Sequence, residues 1–315
     1  MNGRGLRAAL AATAVLLGSL AGASLGGTAA NATTQHRSRP HAPKVKLDHR
    51  FTKPLVLERR AGIVPLFHHR TGTGPVALDQ SNLQYNGGPV AHTSRLYLLF
   101  WGTQWNSDPN GVESYLYYYT NGICSPGDYW VPVTFQYYDT SGATPSCNNG
   151  SAFQGWAQDV GGPAPQNASQ ADIAAEAAAG ADYFGALGTD AQVVVISPSG
   201  THPDGFPYTG FCAWHSYTFD PYGNEVSYTN LPYVLDAGSG CGAYSVQGPL
   251  DGFSIVEGHE FAEAQTDPML NAWYDSSGAE IGDKCAWTGL FAQNTPWGTF
   301  AQQPLWDNST SSCQP

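Results

Sequence analysis

Ile255-Val256-Glu257-Gly258-His259-Glu260-Phe261-Ala262-Glu263-Ala264-Gln265-Thr266-Asp267-Pro268 is the stretch on which the rest of the chain depends. As an α-helix it turns about 100° per residue, so side chains four apart stand almost one above the other. His259 and Glu263 then share a face, with Glu260 roughly 100° round and Asp267 between them if the last turn holds. One imidazole and two or three carboxylates on so short an arc repel each other and suffer on burial. A divalent cation relieves both. An ordinary solvated helix face carries His and Glu at the same spacing, so the remainder of the chain has to decide between the two readings.

The spacing is that of the zincin helix, with Glu263 where H-E-x-x-H has its second His. In that logic His259 and Glu263 are metal ligands, and Glu260 is the general base that activates the attacking water. A third ligand is expected about twenty residues downstream, where Glu280-Ile281-Gly282-Asp283 lies. Asp283 is preferred, because Gly282 frees the backbone to turn that side chain inward; Glu280, Asp267 and His215 are the alternatives. His215, at the end of an apolar stretch after Trp214, is also a candidate catalytic group that hydrogen-bonds the substrate oxyanion. Zinc is the first choice of cation and calcium the second, since a lone imidazole suits zinc and calcium wants six or more oxygens. Other nucleophilic arrangements are weak: the chain has no G-x-S-x-G and no Gly-rich phosphate loop.

Composition bounds the setting. Arg4, Arg7 and the apolar run Leu10 to Leu20 read as a secretory signal over residues 1–32, with cleavage after Ala30 or Ala32. No later run is long enough to span a membrane, which points to a secreted, extracellular protein. The six cysteines then favour disulfides, and neighbouring pairs 124–147, 212–241 and 285–313 are the expected ones. Eleven of the 13 Lys and Arg precede residue 71, and 23 of the 25 Asp and Glu follow it. An acidic main domain repels phosphate and excludes a nucleic-acid partner. Residues 33–70 read as a cationic pro-segment over an acidic cleft, removed near Arg60 or Arg70, or as a disordered leader. With so few cations to pair its carboxylates, the domain is expected to tolerate mildly acidic pH.

Along the chain, Arg95 to Gly102 reads as a buried strand and Asp108-Pro109 as the start of a helix. Val131 to Tyr138 alternates like an edge strand, and residues 139–167 read as a long polar loop. Ser169 caps a helix over Gln170–Leu187, Ala191 to Ser197 is the clearest strand, and Thr209 to His215 and Leu231 to Asp236 are short apolar stretches. This order predicts one domain over 71–315: a mixed α/β sheet flanked by helices, then the metal-motif helix and an irregular, disulfide-tied C-terminal segment.

Gly87-Gly88-Pro89-Val90 with Trp101-Gly102-Thr103-Gln104-Trp105 resembles the opening of the Exordium, or phosphate-induced, family of secreted proteins. Gly210-Phe211-Cys212, His259 to Glu263, Asn271 to Tyr274 and Glu280 to Cys285 resemble later blocks, in the same order, over about residues 87–290. Where a further Cys is expected soon after Gly-Phe-Cys, this chain has Trp214-His215. The resemblance implies an extracellular or wall-associated module without a settled enzymatic activity, in contact with cell-wall polysaccharide. The residues by themselves favour a zinc peptidase acting on peptide or protein substrates.

Overall fold

The computed structural model describes residues 39–49, 60–66, 81–147 and 150–315. The expected signal segment, residues 1–32, lies outside them. In chain order the elements are β1 (Lys44–Val45), β2 (Ala61–Pro65), β3 (Gln84–Tyr85), β4 (Arg95–Trp101), α1 (Val112–Gly122), β5 (Phe153–Asp159), α2 (Gln170–Phe184) and β6 (Gly188–Ile196). After them come β7 (Phe211–Phe219), β8 (Glu225–Leu231), α3 (Asp251–Thr266), β9 (Trp273–Tyr274), β10 (Phe291–Thr295), β11 (Gly298–Gln302), β12 (Leu305–Asp307) and β13 (Ser312–Gln314).

A seven-stranded mixed sheet runs in the order β1-β5-β4-β6-β8-β7-β2. The continuous apolar runs occupy its middle, with Leu98 opposite Val194 on one side and Trp156 on the other. Strands covered on both faces carry no alternation, which is why β4 and β6 read as unbroken apolar segments. The pairs β7–β8 and β2–β7 are antiparallel; the others are parallel.

Successive side chains of a strand point to opposite faces, and β6 shows what each face meets. Val193 points to α2, whose Gly180 lies so close that a Cβ there would sit 2.6 Å from Leu99 Cδ2. Gln192 points to α3: its amide donates to Thr229 Oγ1 (2.6 Å) and to the Glu260 carbonyl (3.2 Å). α1 packs beside α3, with Tyr115 Oη and Ser254 Oγ 2.8 Å apart. α2 starts on a capping box between Ser169 and Asp172 and stops at Gly185, whose φ of 66° suits glycine. α1 starts where Asp108 accepts the Val112 and Glu113 N–H groups, both at 2.9 Å.

Some expectations fail for local reasons. Val131–Gln136 is a 3-10 helix and not a strand. Asp128 accepts the N–H groups of Trp130 and Val131, Pro132 offers no N–H to a ladder, and Thr134 Oγ1 bonds back to the Val131 carbonyl. The supposed loop 139–167 contains β5, a strand inside the sheet. Its polar Gln158 is buried because its amide donates to the Gly102 carbonyl at 3.0 Å. Leu231 to Asp236 divides between the end of β8 and a 3-10 helix over Val234–Cys241.

The fold also begins earlier than residue 71. β1 pairs with β5 at one edge of the sheet and β2 with β7 at the other, so leader residues supply both margins. Their side chains meet acidic groups: His41 meets Glu113 (2.8 Å), His49 meets Glu176 (2.8 Å) and Arg60 meets Asp204 (2.6 Å). The C-terminal segment forms two short ribbons, β10–β11 and β12–β13. Disulfides join Cys124 to Cys147, Cys212 to Cys241 and Cys285 to Cys313. No described helix is long and apolar enough to cross a membrane.

Candidate metal centre

Every residue of α3 is buried, because the sheet lies on one side of it and β11 and α1 on others. The solvated-face reading of the His-Glu spacing therefore fails. His259, Glu260, Glu263 and His215 all have 0 % exposure.

His259 Nε2 lies 3.0 Å from Glu263 Oε1 and 3.6 Å from Asp283 Oδ1. Neither nitrogen of His259 makes a hydrogen bond. The 3.0 and 3.6 Å contacts are those of ion pairs when His259 is protonated, and they straddle the roughly 3.3 Å that separates tetrahedral ligands at about 2.0–2.1 Å from one small cation. Asp283 reaches the cluster because its loop closes tightly on α3. Glu263 Oε1 accepts the backbone N–H groups of Gly282 (3.1 Å) and Asp283 (3.0 Å). A Cβ on Gly282 would fall 2.8 Å from the His259 ring, so glycine there permits the approach.

β7 brings the second imidazole. His215 Nδ1 is 3.2 Å from Glu260 Oε2 and 3.5 Å from Glu263 Oε2, and its Nε2 is 3.5 Å from Glu280 Oε2. Glu260 Oε1 is buried without a partner, Glu263 Oε2 and Glu280 Oε2 have only the loose 3.5 Å contacts to His215, and buried Asp267 stands beside Glu280. Asp267 Oδ1 accepts the N–H groups of Asn271 (2.6 Å) and Ala272 (2.7 Å), fastening the chain beyond the helix stop.

The charges do not balance internally. Burial would drive the imidazoles neutral, yet Glu260 and Glu263 raise His215 to about 10. Glu263 and Asp283 likewise hold His259 well above the usual imidazole range. Glu263, although buried, is held below the usual carboxylate range by His259 and His215. Burial pushes Glu260 up against the pull of His215, and pushes Glu280 up with Glu263 adding to it. Raised Glu260 and Glu280, a lowered Glu263 and two raised imidazoles crowd one largely buried volume, a conflict of charge that a cation would relieve. The donor set and its orphaned atoms fit a divalent cation on His259, Glu263 and Asp283, whose ligating atoms lie within 4.8 Å of one another.

His259, Glu260, Glu263, Asp283 and His215, with the alternatives Glu280 and Asp267, thus meet in one place. Sequence reasoning missed Glu257, which is fully buried with both carboxylate oxygens unpartnered and is pushed well up by burial and by Glu260. The i, i+3 spacing of Glu257 and Glu260 was the available clue. It also missed Gln192 and Thr229, whose alignment under α3 exists only once β6 and β8 pair. No protein-family model matches this chain, and neither a curated protein nor a solved structure shows significant similarity to it.

Proposed function

We propose a secreted, zinc-dependent peptidase, made latent by its own leader. The carrying observation is the triad of buried His259 and Glu263 with partly exposed Asp283, and the Glu260–His215 pair beside it. His259, Glu263 and Asp283 would hold zinc, which would supply Lewis acidity and make bound water a better acid. Glu260 keeps one oxygen free of partners while His215 holds the other. It takes a proton from the water that attacks the peptide carbonyl, and returns it to the amine as the C–N bond breaks. His215, which carries a proton in this surrounding, orients Glu260 and balances its charge.

Only Asp283 reaches solvent, so substrate gains the other residues once a cover leaves. The reading assigns that part to β2. Ala61 pairs with His215, Val64 is fully buried, and the Pro65 carbonyl accepts the Trp287 indole N–H at 2.6 Å. Arg70 follows the strand, and cutting there would free it with the rest of the leader; cutting at Arg59-Arg60 would release β1 and leave β2 on the chain.

The same closure supports a second reading, a structural cation in a non-catalytic extracellular module of Exordium type. Metal analysis of the purified protein, with casein digestion before and after trimming at the arginines and with chelator, separates the two. Glu260→Gln is expected to keep its zinc and to lose digestion by about 10²–10⁴-fold. Protein without metal, or digestion unmoved by the substitution, overturns the peptidase.

A further inference from the structure

A second cluster lies on the other face of the sheet. β4 leads into α1 on the α3 side, whereas β5 leads into α2 on the opposite side. Where successive strands send their helices to opposite faces, a crevice opens at their carboxyl ends, and α/β proteins bind ligands there. In this chain the crevice is a cleft of about 490 Å³ lined by Trp101, Asp159, Gly161, Pro163, Glu176 and the leader's His49.

Three of these side chains converge. His49 Nε2 is 2.8 Å from Glu176 Oε2, and one ligating atom each from His49, Asp159 and Glu176 lies within 4.8 Å of the others. Glu176 is 1 % exposed, and its other oxygen, Oε1, is buried without a partner. Asp159, 3 % exposed, accepts the N–H groups of Leu47 (3.1 Å) and Gly161 (2.9 Å) through Oδ1. Two carboxylates and one imidazole, two of the three buried, form a cation's donor set, and the cleft leaves room for water as a further ligand.

We propose that His49, Asp159 and Glu176 bind a divalent transition-metal ion, with zinc the first choice, that fastens residues 39–49 to the sheet. The 2.8 Å contact of His49 and Glu176 would open by a few tenths of an ångström to reach tetrahedral donor spacing. The inference is independent of whether the α3 centre is catalytic.

The test uses the full chain and zinc alone, with metal counted after gel filtration and backbone hydrogen exchange followed over residues 39–49. His49→Ala and Glu176→Gln are each expected to hold one equivalent less than the parent chain. Zinc is expected to slow exchange over Lys44–Leu47 about ten-fold in the parent and not in the variants. His259→Ala is expected to lose the other equivalent and to keep this effect. Unchanged stoichiometry in His49→Ala overturns the proposal, and so does a parent chain whose only zinc disappears in His259→Ala. His49 is exposed, so its removal tests the site even if Glu176→Gln folds poorly.

Discussion

The two clusters carry the same donors, one imidazole and two carboxylates, in opposite settings. At the α3 centre the ligands come from one helix and the loop that closes on it, and neighbouring groups are sealed under the sheet. At the cleft the candidate ligands come from a leader residue, a strand end and a second helix, and the imidazole is 44 % exposed. A preformed, dry site spends no binding energy on assembly and strengthens every charge inside it, which suits chemistry. A site assembled from a separable segment converts cation binding into attachment of that segment, which suits fastening.

The sharpest way to break this contrast is His259→Ala, expected to abolish zinc at the α3 centre and to cut casein digestion at least 10³-fold. Digestion that survives would make both clusters structural and erase the difference. Next comes Gly282→Ala. Its methyl would press on the His259 ring, so zinc affinity at that centre is expected to fall by about 10–100-fold, read by competition with a chromogenic chelator, with no change in exchange at residues 44–47. Equal loss at both places would mean a general loosening of the fold.

The smallest effect concerns the leader's other histidine contact, His41 with Glu113, which has no third donor and serves as a control for the clip. Burial holds Glu113 above its ordinary value of 4.5 in the folded chain, against the pull of His41. The folded state therefore favours the protonated acid. This contribution to docking is whole below pH 4.5 and is lost as pH rises through the raised folded value. Exchange at Ala42 is expected to quicken modestly over that window in chelator, and zinc should not alter it. The opposite slope would mean that His41 dominates the pair.

Much of the α3 centre was legible because its parts are local. His259, Glu260 and Glu263 declare themselves by helical spacing, and Asp283 by its distance downstream beside a glycine. His215 was found only as a histidine at the end of an apolar run; its pairing with Glu260 depends on how β7 crosses the helix. The cleft cluster was illegible, since residues 49, 159 and 176 sit on three elements with no spacing between them to read. β5 escaped for a related reason. Gln158 and Asp159 look like loop residues until Gly102 and Leu47 supply their partners. Periodicity registers which faces are wet, and a polar side chain satisfied in the interior leaves no trace in it.

Because β1 and β2 close the sheet from both ends, shedding the leader does more than uncover a centre. It leaves β5 and β7 as bare rims with rows of unanswered amide and carbonyl groups. The trimmed protein becomes adhesive toward extended chains, its own copies included. Under the proposed latency, processing that switched it on would also set a ceiling on the concentration at which it stays dispersed.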